Sequence, residues 1–491
     1  MIALLPLDDR PCNTRFPLEI GAIGGSSLTV PPRHLLGRFN APGHPAALQT
    51  WLENLPAVET LIVSVDMLAY GGLVASRKTV TSHETALARL ETLKKWRQTR
   101  PETPIYAFNI LMRLAITMDS DAAVPHYYNV MRYARLVDEA ARFPSPEIEA
   151  ELREVEAQIP ATILAQYRGA RARNHAVNLQ MLDFVADGTF DFLLITQEDC
   201  TEFGLHRREQ DELTAHAREL GVEGKFALHP GADEAALTLL AHRWNTGIRF
   251  QIEWSCEENK REIAVFEDVP YEDALHSHIE AMGGRVVSTG ADADCVLFVN
   301  APVGGSQKDE SADSRAKREA QIEAFCERIA AKIEAKVPVA LCDVAFPNGA
   351  DDLLLSQLEK RELLGKLTAF SGWNTAGNTT GTVLAQCAAL FRADDQSSAQ
   401  ELNRRFTFER LVDDWGYQAR VRAELETEAR RRGFSPLSMN GQAAGIEAIA
   451  RLKLGAFARE LAPQFGAHVE KLDVRLPWGR TFEVEVGAVL S

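Results

Sequence analysis

The sequence predicts an α/β protein built on a TIM-barrel-like parallel sheet, with an α/β insertion and a helical C-terminal region. Short apolar runs of strand length recur along the chain and alternate with stretches patterned for helices. Eight of them, starting at Ile2, Leu28, Leu61, Ile105, Phe190, Phe226, Val337 and Leu367, supply the strand count a barrel requires. Several end in an acid with Gly, Pro or Asn close by, as loops do when they build a site along one sheet edge. The expected division is residues 1–248 with 336–390 as the barrel-like domain, 249–335 as a smaller α/β insertion or second domain, and 391–491 as a helical region ending in a β-hairpin. Two doubly wound, Rossmann- or flavodoxin-like domains meeting near residue 245 are the alternative, because strands of parallel sheets read alike in both architectures.

In chain order, residues 2–7 form a strand that opens on Asp8, Asp9, Arg10, Pro11, Cys12 and Asn13. Residues 28–30 follow as a second strand, leading to Arg33, His34 and a Gly/Pro-rich passage. Residues 60–65 are a third, ending in Asp66, with Gly71-Gly72 and Ser76-Arg77 beyond. The two glycines permit close approach of backbone to a ligand, or a simple turn. A helix over 84–97 leads to a fourth strand at 105–110, then Arg113 and a polar passage. From 146 to 187 the pattern is helical, with Pro160 placed to start its second half, and Asn174 and Asn178 share one face of it at i, i+4. Asn is a poor mid-helix residue, so both are expected to be held by hydrogen bonds, to buried backbone or to a ligand.

The strand at 190–196 runs into Gln197, Glu198, Asp199 and Cys200, and a helix follows from His206. At 226–228 an apolar run breaks at His229-Pro230-Gly231, and Asp233 and Glu234 introduce a helix over 235–244. Taken singly, Asp233 reads as an N-cap and Glu234 as a first-turn acid favoured by the helix dipole. The recurrence of acids after strands is what argues for a shared cleft. Strands at 250–254, 285–287 and 295–299, a helix at 271–282 and a polar loop at 306–315 form the smaller unit. A helix at 316–335 returns to the strand at 337–342, which ends in Asp343. The strand at 367–370 ends in Gly372-Trp373-Asn374-Thr375-Ala376-Gly377-Asn378, with a helix from about 383. Trp373 offers a flat apolar face and Asn374 and Asn378 offer amides, which suits a sugar better than a phosphate, because no Lys or Arg lies in that loop. Residues 391–470 read as helical, and 469–476 with 481–486 as a hairpin; no internal repeat is evident.

Composition narrows the function classes. The 491 residues are 46% hydrophobic and 25% charged, which is ordinary for globular chains. A net charge of -16 opposes nucleic-acid and anionic-membrane partners, which call for a basic face. No run reaches the length of a membrane span, and the start Met1-Ile-Ala-Leu-Leu-Pro lacks the basic region of a signal peptide, so a cytoplasmic protein is expected. Seven cysteines without a Cys-x-x-Cys pair read as reduced thiols, and the acids around Cys200 oppose its use as a nucleophile.

The residues expected to carry chemistry are Asp233, Glu234, Glu198 and Asp199 as catalytic groups. Those expected to bind substrate are Asp8, Asp9, Arg10, Asp66, Arg113, Asn174, Asn178, His229, Asp343, Trp373, Asn374 and Asn378. The favoured reading is a cofactor-free glycoside hydrolase acting on a small carbohydrate, with one carboxyl as acid and another as nucleophile or orienter. Glu234, partly buried beside the charge of Asp233, is the expected acid. One alternative is a hydrolase dependent on Mg²⁺ or Mn²⁺ held by Asp8, Asp9, Asp66, Asp199 and His229, although no His-x-His or His-Glu-x-x-His motif is present. The other is a non-catalytic sugar- or metabolite-binding protein. Homo-oligomerisation is compatible with all three.

Over essentially its whole length the chain resembles the bacterial domain-of-unknown-function family 4127. The matching text is Pro6-Leu-Asp-Asp-Arg-Pro-Cys-Asn13, Gln197-Glu-Asp199 with Gly204, Gly231-Ala-Asp-Glu234 and Gly372-Trp-Asn-Thr-Ala-Gly-Asn378. That resemblance implies no activity. His229-Pro-Gly-Ala-Asp-Glu234 also resembles the His-x-Gly-Gly-Asp-Glu signature of family 20 β-N-acetylhexosaminidases, with Ala232 in place of the second Gly. It implies that Asp233 orients a 2-acetamido group and Glu234 protonates the leaving group.

Overall fold

Two open parallel sheets carry the fold where a single barrel is expected. The computed structural model describes residues 1–288, 292–303 and 312–491, and the chain divides into two units. Unit 1 comprises Met1–Leu18, Ser26–Leu239 and Phe266–Asp268, and unit 2 comprises Glu19–Gly25, Leu240–Val265 and Val269–Ser491.

The sheet of unit 1 contains β1 (Ile2–Leu5), β2 (Leu28–Thr29), β3 (Thr60–Ser64), β4 (Ile105–Leu111), β5 (Phe192–Gln197) and β6 (Phe226–Pro230) in the order β2-β1-β3-β4-β5-β6, all pairs parallel. β1 and β3 are buried along their whole length, as strands covered by helices on both faces must be. The strand order reverses between β2 and β3 on either side of β1, so the loops leaving β1 and β3 part around a crevice at the carboxyl edge. Leu61, Val63, Ile105, Ala107, Leu193 and Ile195 pack with Leu90, Leu93 and Trp96 of the helix His83–Thr99, which Ser82 caps. Pro160 divides the predicted long helical stretch into Pro146–Gln158 and Ala161–Ala186, where its fixed φ suits the N-cap position and its missing N–H costs nothing.

Unit 2 contains β7 (Arg249–Trp254), β8 (Arg285–Val286), β9 (Cys295–Asn300), β10 (Val339–Asp343) and β11 (Ala369–Ser371) in the order β11-β10-β9-β7-β8, also all parallel. Read from β8, this is second-first-third-fourth-fifth, the order of the first five strands of unit 1. Its core joins Phe298, Leu341 and Phe370 to Trp415 and Tyr417 of the π-helix Leu411–Val421.

The barrel expectation is corrected by this topology. Of the eight counted runs, six form the first sheet and two, β10 and β11, enter the second. β9 supplies β10 with a parallel partner from Val339↔Val296 to Asp343↔Asn300, so β10 has no need of an edge in the first sheet. Both sheets fit a Rossmann-like arrangement. Of the loop expected at 306–315, residues 306–311 lie outside the described residues, and the helix Ala312–Glu334 takes the remainder. The hairpin pairs β12 (Val469–Arg475) with β13 (Glu485–Leu490), later than the expected 481–486, because this register buries Val486 and Ala488 opposite Val474 and Leu472. No helix among the described residues is long and apolar enough to cross a membrane.

The Gly71-Gly72 pair meets protein backbone. Gly43 N donates to Gly71 O at 2.8 Å, and a Cβ on Gly37 would lie 2.2 Å from Gly71 O. Gly37→Ala is therefore expected to lower stability by about 1–3 kcal/mol through overpacking. Gly224→Ala meets nothing within 4 Å and serves as the control. The comparison is made by urea unfolding; equal midpoints for the two variants would show that the loops separate at no cost.

Candidate active site

At the carboxyl edge of unit 1, the loop leaving β1 turns Arg10 back on its own strand end. Its backbone N and Nε donate to Asp8 Oδ1 at 3.0 and 3.1 Å, and Nη2 donates to Asp8 Oδ2 at 2.6 Å. The same guanidinium grips Asp233, which follows β6, through Nη1 to Oδ2 at 2.9 Å and Nη2 to Oδ1 at 2.5 Å. Asn13 Nδ2 completes the knot, donating to Asp8 Oδ1 at 3.0 Å and Asp233 Oδ1 at 3.2 Å. All four side chains are buried. Burial pushes the Asp233 carboxyl up, and the Arg10 charge opposes that. Burial would weaken the Arg10 proton, but the charges of Asp233 and Asp8 hold it well above its ordinary range.

A second group hangs over the end of β4. Ser64 caps the short helix Val65–Tyr70 by accepting from Met67 N, which aims Asp66 across the sheet edge. Asp66 Oδ2 accepts from Ile110 N at 2.9 Å, and Glu198 N, just beyond β5, donates to Leu111 O at 3.1 Å. Glu198 Oε1 pairs with Arg77 and lies 3.3 Å from Arg113 Nε, while Arg113 also pairs with Asp199. Glu198 Oε2 is buried with no hydrogen bond. An unpaired buried carboxylate oxygen is rare and calls for a partner.

The two carboxyls are pushed apart. Burial raises Asp66 to about 7, against the pull of the Ile110 N–H and with the help of the Glu198 charge. Burial would also raise Glu198, but Arg77 and then Arg113 outweigh it and hold the group below the usual carboxylate range. Arg77 itself falls to about 10, chiefly through burial, and feels the charges of Arg113 and Arg10. The Arg10 knot and the Asp66–Glu198 group both lie at the carboxyl ends of the strands of this sheet.

Asp233 and Glu234 have different surroundings. Glu234 Oε2 accepts from Ala232 N at 2.8 Å, Oε1 has no hydrogen bond, and the residue is 0% exposed. Burial above all, with lesser contributions from the Asp233 and Glu267 charges, raises it to about 8. A Cβ on Gly231 would lie 1.8 Å from Glu234 Oε1, so only glycine admits the carboxyl there, and its φ of +128° suits glycine as well. His229 Nδ1 donates to Pro230 O at 2.8 Å, and burial lowers the ring to about 4, leaving it neutral at pH 7.

Asp9 lies 3.5 Å from Arg33 Nε. Asn174 Nδ2 donates to Ser76 O at 3.0 Å and its Oδ1 accepts from Arg173 Nε at 3.1 Å; Asn178 Oδ1 accepts from Asn109 Nδ2 at 2.9 Å. Asn174 is therefore tied to protein, Asn178 Nδ2 is buried without a hydrogen bond, and Arg173 fastens the 76–81 loop through Lys78 O and Thr81 O at 2.7 and 2.8 Å. Arg77, Arg173 and Asn13 neighbour the candidate site and lie outside the expected set of site residues. Asn13 closes the first matching motif and Arg173 adjoins Asn174, signals that could have marked them; Arg77 carries none.

Asp343, Trp373, Asn374 and Asn378 belong to unit 2. Asp343 accepts from Asn300 Nδ2 at 2.9 Å and Asp351 N at 2.7 Å, and burial, then the Asp351 charge, raises it to about 7. Trp373 is half-buried; its N and Nε1 donate to Thr379 Oγ1 and Thr382 Oγ1 at 2.9 and 3.3 Å. Gly372 N donates to Asp414 at 2.9 Å, and Thr375 caps the helix Ala376–Arg392. These N–H groups of the loop serve the fold of unit 2.

A family model described as a protein of unknown function (DUF4127) matches residues 2–487. No curated protein and no solved structure matches the chain.

The raised Glu234 carboxyl has a pH consequence. Between the ordinary glutamate value of 4.5 and about 8 it is protonated when folded and ionised when unfolded, so folding takes up a proton and stability falls as pH rises across that window. Glu234→Gln removes this dependence. The wild type is expected to lose stability relative to the variant from pH 5 to 8, by at most about 1.4 kcal/mol per unit. Parallel stability–pH curves from urea unfolding would refute the burial of a titrating acid here.

Proposed function

As the chain belongs to the DUF4127 family of proteins of unknown function, we propose its activity from the site alone: unit 1 is a glycoside hydrolase acting on a small carbohydrate. The observation that supports this reading is the Asp66–Glu198 pair over the end of β4. One carboxyl, without an arginine hydrogen-bonded to it, keeps its proton near neutrality, and the other is held ionised between two guanidiniums with one oxygen unpaired. Two carboxyls driven to opposite protonation states are what glycosidic cleavage uses, an acid for the leaving oxygen and an anion for the oxocarbenium-like centre. Asp66 is the proton donor in this reading, and Glu198 Oε2 faces the sugar as nucleophile or electrostatic partner. Arg77 and Arg113 fix Glu198 and offer N–H groups to substrate hydroxyls.

This moves the chemistry away from Asp233 and Glu234. Both oxygens of Asp233 are engaged by Arg10, so the orienting role implied by the hexosaminidase resemblance would need that ion pair to open. Glu234 is sealed from solvent. A divalent-metal hydrolase is the second reading. Of its expected ligands, Asp8, Asp9 and Asp199 face the guanidiniums of Arg10, Arg33 and Arg113, which compete with a cation for the same oxygens.

The test is turnover of a panel of aryl glycosides by the purified chain. Asp66→Asn and Glu198→Gln are each expected to lower kcat about 10²–10⁴-fold. Wild-type activity should fall as pH rises through about 7, where Asp66 loses its proton, and Asp66→Asn should lack that limb. Activated aryl leaving groups should suffer least in Asp66→Asn, because they need little protonation. Sugar binding without turnover would favour a binding protein, and a rate abolished by chelators and restored by Mg²⁺ or Mn²⁺ would favour the metal reading.

A further inference from the structure

Beyond the Asp66–Glu198 pair, unit 1 holds a buried trio that the proposed hydrolysis does not use: Cys200, His206 and Asp268, whose candidate donor atoms all lie within 4.8 Å of one another. Cys200 sits in the loop after β5, His206 at the start of the helix Leu205–Leu220, and Asp268 in the segment Phe266–Asp268. We propose that Cys200 Sγ, His206 Nε2 and Asp268 Oδ2 bind a zinc-class transition-metal ion.

Two independent observations carry this. The first is that His206 is 0% exposed and neither ring nitrogen makes a hydrogen bond. A buried imidazole with no aligned hydrogen bond at either nitrogen is costly, and a metal ion is a partner that neutral imidazole accepts readily. A Cβ on Gly204 would meet His206 Nδ1 at 2.9 Å, so that nitrogen is backed by protein and Nε2 is the one turned to Asp268.

The second is the spacing. Nε2 and Asp268 Oδ2 are 3.2 Å apart, close enough for an ion pair yet not aligned as a hydrogen bond. Ligands at about 2.0–2.3 Å from a tetrahedral zinc stand roughly 3.3–3.7 Å from each other, so the pair already approximates one edge of that tetrahedron. Cys200 Sγ is 3.6 Å from Phe266 O, and Cys200 N donates to the same carbonyl at 3.0 Å, which places the thiol beside the segment that bears Asp268.

The donor set selects the ion. Thiolate and imidazole favour zinc, or cobalt in its place, over magnesium or calcium. Arg207 Nη1 and Gln210 Nε2 donate to Asp268 Oδ2 at 3.1 and 2.7 Å, orienting the carboxylate as outer partners do. Glu267 and Arg171 also act on the thiol, and Arg171 is itself paired with Glu209 at 2.7 Å. Thiolate and Asp268 carry two negative charges, balanced by a dication. Forming the sulfur–metal bond sends the Cys200 proton to solvent. Water fills the fourth position.

Cobalt titration of the full metal-free chain tests this. One equivalent of Co²⁺ is expected to give a thiolate-to-cobalt charge-transfer band with strong visible bands of four-coordinate cobalt. The charge-transfer band should vanish in Cys200→Ser and persist in Cys256→Ser, a half-buried cysteine that is not one of the trio. On the wild type alone, Zn²⁺ should slow alkylation of Cys200 at least about tenfold, read by peptide mass, which decides the matter even if Cys200→Ser does not fold. No cobalt uptake, a band that survives in Cys200→Ser, or unchanged alkylation of Cys200 in zinc would each overturn the proposal.

Discussion

One guanidinium holds the carboxyl edge of unit 1 together. Arg10 joins Asp8, two residues away, to Asp233, 223 residues away, and β3, β4 and β5 lie between the strands those acids follow. Strands four places apart in a sheet are separated by roughly 19 Å, so the loops after β1 and β6 must lean inward over the edge to meet. The strands between them lead into the loops that carry Asp66, Arg113 and Glu198. Removing one partner from such a knot would leave buried charge uncompensated, which costs far more than the net worth of the pair. The meeting of the first and last loops of this sheet edge is therefore conditional on Arg10.

Along this edge, chemical type does not decide role. Asp66, Glu198, Asp233 and Glu234 are all buried carboxyls, and their neighbours sort them. Glu198 has two arginines and stays charged; at Asp66 burial and a like charge outweigh a backbone N–H and push it toward neutrality. Asp233 is committed to Arg10, and Glu234 is surrounded by backbone and a neutral histidine. Four acids thus occupy four electrostatic situations along one sheet edge.

Much of this edge was legible in the sequence, because acids that follow short apolar runs must emerge at strand ends, and Asp8, Asp66, Glu198 and Asp233 all do. Their arginine partners were not. Arg77 follows the four-residue helix Leu73–Ser76 and Arg173 lies within a long helix, so neither is marked by strand periodicity. The asparagine pair at 174 and 178 was recognisable as in need of hydrogen bonds, but what satisfies Asn174 is loop 76–81, which only tertiary folding brings near. The barrel failed for a related reason. A parallel strand's text records that both its faces are covered and says nothing of which strand it pairs with, so β10 and β11 counted as readily toward one sheet as the other. The shared strand order of the two units is equally silent in the text, since order is set by crossovers and needs no repeated residues.

The units are also interleaved along the chain, with Glu19–Gly25 of unit 2 inside the span of unit 1 and Phe266–Asp268 of unit 1 inside the span of unit 2. Neither can be excised by a single cut. A fragment ending near residue 240 would contain every strand of the first sheet and still lack Asp268, the acid facing His206. On the ribosome the same ordering sets a sequence of events. Unit 1 can pair all its strands as soon as β6 emerges, yet its last pieces arrive only after β7 has been made, so completion of one unit waits on synthesis of the next.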